Sequence, residues 1–238
     1  MKKRLGGDAI KYIAIFAMLL DHIGWTFLSF ASPLSQIFHT VGRITAPIMC
    51  FFIAEGYRRT KNVKKYLMRL FIFALVSQIP WCVMHGQSLD TLSFNMFFTL
   101  FFALLAVIAE DKIENPTLKT LAVFSCAAAT VFSDWYVFAV LWSVSFFKFK
   151  AEPKKLFLSF SAVSLMYSGY MFYLNLEAGN EPEKSLLSVL FTLGTFLSLP
   201  FIFSYDETKR PNKKNRFVFY VFYPLHMLLL GIVKYLIQ

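Results

Sequence analysis

Asp21 and His22 stand side by side within one long apolar run, with Lys11 eleven residues before His22, and the next apolar run carries His39, Arg43 and Glu55. An imidazole titrates at about pH 6.5, which suits it to taking a proton at neutral pH, and a nearby carboxylate can orient or polarise it. Eleven residues are close to three helical turns, so Lys11 and His22 share one face, about 16 Å apart along the axis. Asp21 lies about 100° around from His22 and so addresses a neighbouring imidazole or backbone group rather than the ring beside it. His39 and Arg43 are one turn apart on one face. An arginine too deep to snorkel calls for a carboxylate, and Asp21 is the nearest in expected depth. His226, in the last apolar run, falls near the level of His22. Two imidazoles at one depth offer a proton relay, a metal site or a packed polar contact. No His or carboxylate stands one turn from either as a second ligand, so no metal is expected. Plainer roles remain for the same groups: snorkelling for Lys11, a buried interhelical hydrogen bond for Asp21 and His22, and a structural ion pair for Arg43.

The elements that position these groups follow from composition. Of 238 residues 57% are hydrophobic and only 16% charged, too little charge for a soluble chain of this length. Three scattered cysteines exclude a disulfide framework, and of Cys50, Cys82 and Cys126 only Cys50 is placed to act as a thiol nucleophile. The expectation is an all-α polytopic membrane bundle forming a single domain over 1–238. Runs of the length needed to cross a hydrocarbon core of about 30 Å lie near 9–31, 36–57, 66–84, 94–109, 117–133, 135–147, 156–174, 185–205 and 217–237. That makes about nine spans, with eight or ten as alternatives. The fifth and sixth are short and meet at Ser133-Asp134-Trp135, as a re-entrant hairpin would. Gly42, Ala46 and Pro47 permit a kink or close helix approach beside Arg43.

With the amino terminus in the cytoplasm, 19 Lys and Arg residues fall in cytoplasmic segments and only Lys184 outside, with Lys11, Arg43, Arg69 and Lys234 within spans. The net charge of +10 is thereby a one-sided array against the lipid headgroups, and no nucleic-acid partner is expected. The basic start and Ser29-Phe30-Ala31 superficially resemble a signal peptide with its cleavage site. The apolar run is too long for one, so the first segment is read as an uncleaved anchor.

Taken in order, several short segments resemble the TraX family of bacterial membrane proteins. They are Met18-Leu19-Leu20-Asp21-His22-Ile23-Gly24, Gly42-Arg43-Ile44-Thr45-Ala46-Pro47, Glu55-Gly56-Tyr57, Thr60-Lys61-Asn62-Val63-Lys64-Lys65-Tyr66-Leu67 and Arg69-Leu70. Gln78-Ile79-Pro80, Asn95-Met96-Phe97-Phe98-Thr99-Leu100, Asp134-Trp135 and Tyr223-Pro224-Leu225-His226 extend the resemblance along nearly the whole chain. Trp135 departs from the Tyr usual there, and Thr45-Ala46 from a small-aromatic pair. The best-known member of that family is associated with amino-terminal acetylation of a conjugative pilin. The family looks like part of a wider set of membrane acyltransferases that includes the acyltransferase-3 proteins and the lysosomal heparan N-acetyltransferase. A basic residue, ten intervening residues and a histidine mark the first span of acyltransferase-3 proteins, and Lys11 and His22 have that spacing.

The resemblance implies acyl transfer from cytoplasmic acetyl-CoA to an amine or hydroxyl on a protein amino terminus, a glycan or a small amine. On that footing His22 is the expected base, with Asp21 also on the chemistry side and Arg43, Asn95 or His226 meeting the developing oxyanion. Lys11, Glu55, Arg58, Arg59, Lys61 and Arg69 are expected at the cytoplasmic mouth where the CoA phosphates would sit, although positive-inside anchoring on anionic lipid explains most of these charges equally. His39, Gln78 and Asp134 are expected on the acceptor side. A proton-coupled transporter or flippase, relaying protons through Asp21, His22, Arg43 and Glu55, is the competing class, and a scaffold for a conjugation or secretion apparatus the third.

Overall fold

The computed structural model describes residues 4–89, 91–209, 212 and 215–237. Lys2, Lys3, Asp90, Arg210, Lys213 and Lys214, which contribute to the orientation argument, lie outside the described residues. Helices account for nearly all the regular structure: α1 Gly7–Phe27, α2 Pro33–Gly42, α3 Thr45–Arg59, α4 Val63–His85, α5 Met96–Lys112, α6 Pro116–Ala128, α7 Tyr136–Lys148, α8 Pro153–Glu177, α9 Pro182–Thr192, a 3₁₀ turn Leu193–Ser198, α10 Leu199–Phe203 and α11 Asn215–Ile237. Among the described residues the only β pairing is two isolated bridges, Leu5 with Tyr205 and Phe94 with Ser133. The protein is an all-α polytopic bundle, as its composition requires in a medium where helices satisfy their own backbone.

Among the described residues six segments are long and apolar enough to cross a membrane: Gly7–Phe27, Pro33–Arg59, Val63–His85, Pro153–Glu177, Pro182–Phe203 and Phe217–Ile237. They coincide with the expected first, second, third, seventh, eighth and ninth runs. Helix α5 has 17 residues, while α6 and α7 have 13 each. At 1.5 Å per residue α6 and α7 each reach only about 20 Å, short of a hydrocarbon core of about 30 Å. The chain reverses between them where the sequence suggests. Trp135 and Tyr136 both take left-handed backbone there, at φ 66° and 48°.

Local sequence sets the helix ends. Ser32 accepts from Ser35 N at 3.2 Å ahead of Pro33, Asn62 from Lys65 N at 2.8 Å, and Asn115 from Leu118 N at 3.0 Å ahead of Pro116. Gly86, at φ 64°, ends α4. The second apolar run is broken between α2 and α3 at Arg43 and Ile44, beside the expected kink.

The chain packs as two compact units. The first joins both ends of the sequence, up to residue 48 and from 164 onward; its core includes Ile10, Ala14, Ala17, Tyr167, Phe191 and Met227. Within it α1 packs on α2 and on α11. Gly42 is what lets α1 and α2 meet, since a Cβ there would lie 2.3 Å from Asp21 Cβ. The second unit, residues 49–163, is built around Leu70, Leu104, Val107, Trp142, Phe146 and Phe160.

Candidate functional site

Two hydrogen-bonded histidine systems diverge from neighbouring positions on α1. His22 faces α11, where its Nδ1 lies 2.7 Å from His226 Nε2 and the two rings are 4° from parallel. His226 Nδ1 is 2.8 Å from the Phe222 carbonyl. A carbonyl can only accept, so His226 carries its proton on Nδ1 and its Nε2 accepts from His22 Nδ1. The lone pair of neutral His22 therefore belongs to Nε2. One backbone oxygen sets two tautomers in series.

Asp21 turns the other way, toward α2. Its Oδ1 lies 2.7 Å from His39 Nδ1 and its Oδ2 2.5 Å from Arg43 Nη2. The carboxylate fixes the His39 proton on Nδ1, so Nε2 accepts from Ser35 Oγ at 3.0 Å. Ser35 and His39 are fully buried, and Asp21 and Arg43 nearly so. Arg43 also donates to Tyr167 Oη at 3.2 Å and, through Nε, to the His39 carbonyl at 3.4 Å, with its guanidinium over the Phe191 ring. The break after α2 is what allows Arg43 to turn back toward its own helix. Trp25, with its ring centroid 4.2 Å from that of His39, and Phe30 flank the imidazole. Every charge in this group has an opposite charge or a directed donor, the condition for keeping ions at low dielectric.

Lys11 lies on the same side of α1 as His22, with its ammonium 5.4 Å from the centre of the Phe219 ring of α11. The shared face expected from eleven-residue spacing is present.

In the second unit, Glu55 is 1% exposed and gathers three cations. Arg58 Nη1 lies 2.9 Å from Oε1, Lys150 Nζ 2.8 and 3.0 Å from the two oxygens, and Arg59 Nε 3.8 Å from Oε2. Arg58 also donates to the Phe147 carbonyl. The cluster keeps a net charge near +2, a composition that fits a polyanion. Arg69 lies over the Tyr66 ring, and Lys61 is exposed.

The sequence pattern carrying these groups matches the family model described as TraX protein over residues 6–234. The chain belongs to the TraX family. It is 32% identical over 240 residues to the probable fimbrial assembly protein FimC, serogroup H1, of Dichelobacter nodosus, covering 96% of each chain. It is also 33% identical over 84 residues to an uncharacterized protein of Rickettsia prowazekii, covering 35% of this chain and 30% of that one. No solved structure matches it. This TraX chain is a multi-pass protein of the bacterial inner membrane.

In the TraX chain the expected partnership of Arg43 with Asp21 is present, as is the meeting of His22 with His226. Asp21 serves His39 instead of the ring beside it, in keeping with the angle between them. Three expected site residues have other engagements. Asn95 caps α5 by accepting from Phe97 N at 3.0 Å, and its Nδ2 donates at 2.8 Å to the Ala74 carbonyl and to Gln78 Oε1. Gln78 in turn donates to the Ser93 carbonyl at 2.8 Å. Both polar ends of Asn95 are thus engaged in holding α4 against α5. Asp134 accepts from Trp81 Nε1 at 3.1 Å, and its carbonyl accepts from Thr99 at 2.7 Å. Ser35, Tyr167 and Lys150 join the polar groups without having been expected. A serine four residues before His39 was the available signal for the first. Tyr167, inside an apolar run, carried none.

Proposed function

We propose that the protein is a membrane acyltransferase that moves an acetyl group from cytoplasmic acetyl-CoA to an amine. A pilus subunit is the acceptor suggested by the name of the fimbrial relative and by the TraX resemblance. The observation that carries the proposal is the chain from His22 through His226 to the Phe222 carbonyl, because it leaves the basic nitrogen of His22 on Nε2. An amine with a pKa of about 8 is mostly an ammonium at neutral pH, so it must lose a proton before it can attack a thioester. His22 Nε2 takes that proton while Nδ1 passes its own to His226 Nε2. The amine nitrogen then attacks the carbonyl carbon, the C–S bond breaks, and the CoA sulfur leaves as the thiol with the second proton given up by the nitrogen. Arg43 and its neighbours hold α1 and α2 in register for this step. In the second unit, the positive charge that Arg58, Arg59 and Lys150 gather around Glu55 suits the phosphates of CoA.

The test is incubation of the purified protein with radiolabelled acetyl-CoA and peptide amines, comparing wild type with His22→Ala. Transfer in the wild type that is lost in a folded His22→Ala variant supports the assignment. A folded wild type that fails to bind acetyl-CoA rules it out.

A further inference from the structure

Ser35, His39 and Asp21 form a hydroxyl, an imidazole and a carboxylate bonded in that order, at 3.0 and 2.7 Å. This is the connectivity by which nucleophile, base and orienting acid are recognised on unrelated folds. We propose that Ser35 is a nucleophile carrying the acetyl group as an oxygen ester between donor and acceptor, which rests on the acyltransferase reading and makes the transfer two-step.

Three features of Ser35 favour this over a packing role. Several serines within the helices turn their hydroxyls back onto the chain: Ser125 onto the Leu121 carbonyl, Ser143 onto Ala139 and Ser168 onto Ser164. Ser35 instead gives its hydroxyl to a ring nitrogen whose tautomer Asp21 has set. Second, Ser35 stands in the first turn of α2, at the positive end of the helix dipole, which favours a developing oxyanion. Third, the carboxylate that orients the base is itself held by Arg43, so it is kept ionised and aimed.

In the first half, Ser35 Oγ attacks the thioester carbon as His39 Nε2 takes the hydroxyl proton. The C–S bond breaks, and the sulfur leaves with the proton that His39 returns. In the second half an ammonium acceptor has two protons to lose. His22 Nε2 takes the first, freeing the nitrogen lone pair. The nitrogen attacks the ester carbon and gives its second proton to His39 Nε2, and as the C–Oγ bond breaks that proton goes back to Oγ. One proton is left on the His22–His226 pair for release to water, matching the overall conversion of an ammonium and a thioester into an amide, a thiol and a proton. Two separate histidine systems thus meet two separate proton transfers. The hydroxyl is buried, so Trp25 and Phe30, which flank His39, must shift to admit the acetyl group.

The test uses the full chain in lipid nanodiscs, radiolabelled acetyl-CoA and no acceptor, with acid quench, digestion and mass spectrometry. The expected result is an acetyl group on the peptide containing Ser35, absent from Ser35→Ala and His39→Gln and discharged by added amine. Ser35→Cys, which preserves shape if the alanine variant misfolds, is expected to hold the label as a thioester cleaved by neutral hydroxylamine. A wild type that consumes acetyl-CoA without labelling Ser35, or a Ser35→Ala variant that transfers acetyl at the wild-type rate, overturns the serine ester and leaves the acyltransferase standing. A folded wild type that neither binds nor cleaves acetyl-CoA overturns both.

Discussion

The carboxylate of Asp21 accepts from His39, eighteen residues away on the next helix, and not from His22 beside it. The arrangement separates two histidines that a linear view would pair with one acid. It also ties Asp21 into a buried network with Arg43, and breaking one partner of such a pair leaves an uncompensated charge. Asp21→Ala and Arg43→Ala should each destabilise the protein by about 3–5 kcal/mol, and the double variant should cost clearly less than their sum. Denaturation in detergent measures this; additive losses would mean that the two charges are not coupled.

Function should divide differently between the two systems. His22→Ala is expected to lower acetyl transfer by about 10²–10⁴-fold, the usual contribution of a positioned base. His226→Phe should reduce turnover less, because His22 keeps its own lone pair but loses the partner that sets it. Asp21→Asn should lower turnover while leaving acetyl-CoA binding measurable. If binding vanishes in folded protein, Asp21 acts on the donor and not on the chemistry.

Gly42→Ala offers a steric test. Its Cβ would fall 2.3 Å from Asp21 Cβ, whereas a Cβ at Gly169 meets nothing within 4 Å. Overpacking of this kind costs about 1–3 kcal/mol and should separate α1 from α2. The expected outcome is lower thermal stability and lost turnover for Gly42→Ala, with Gly169→Ala close to wild type in stability. Equal behaviour of the two variants would remove the close crossing as a requirement.

The cluster on Glu55 predicts how the donor binds. Arg58→Gln and Lys150→Gln should each weaken acetyl-CoA binding about tenfold, or about 1.4 kcal/mol, and added salt should weaken it further. Isothermal titration with acetyl-CoA and with a CoA lacking its 3′-phosphate checks this. Unchanged affinity in both variants would assign the cluster to lipid anchoring alone.

Asp111, beyond the apolar part of α5, is held below the ordinary carboxylate range by a hydrogen bond from the Tyr57 hydroxyl and by Lys112. A lowered folded-state pKa contributes stability above the unfolded value of about 4, and that contribution disappears as pH falls through the folded value. Tyr57→Phe should therefore flatten the acid side of the stability profile. Unfolding midpoints measured from neutral to acid pH check this.

Depth along a helix was legible in the sequence because the rise per residue is constant. Counting residues is enough to bring Arg43 to Asp21 and His226 to His22, and to set Lys11 and His22 on one face. The short α6 and α7 and their reversal at Ser133-Asp134-Trp135 were legible for the same reason. Which helix stands beside which, and how each is rotated, is a property of packing that one sequence does not carry. Tyr167 reaches Arg43 across 124 positions, and Lys150 reaches Glu55 across 95, with no local mark on either. Asn95 shows the opposite fault. An Asn directly before a long apolar run is a helix-start signal, and only the family resemblance gave it a chemical role.

His226 comes from α11, whereas the residues it serves come from α1, and the first unit draws on both ends of the chain. During synthesis the histidine pair therefore forms only after α11 has left the ribosome. A chain interrupted between α3 and α11 contains Asp21, His39 and Arg43 but lacks the group that sets the His22 tautomer. Completion of α11 is thus a condition for the His22–His226 pair, whereas the Ser35–His39–Asp21 series needs only α1 and α2.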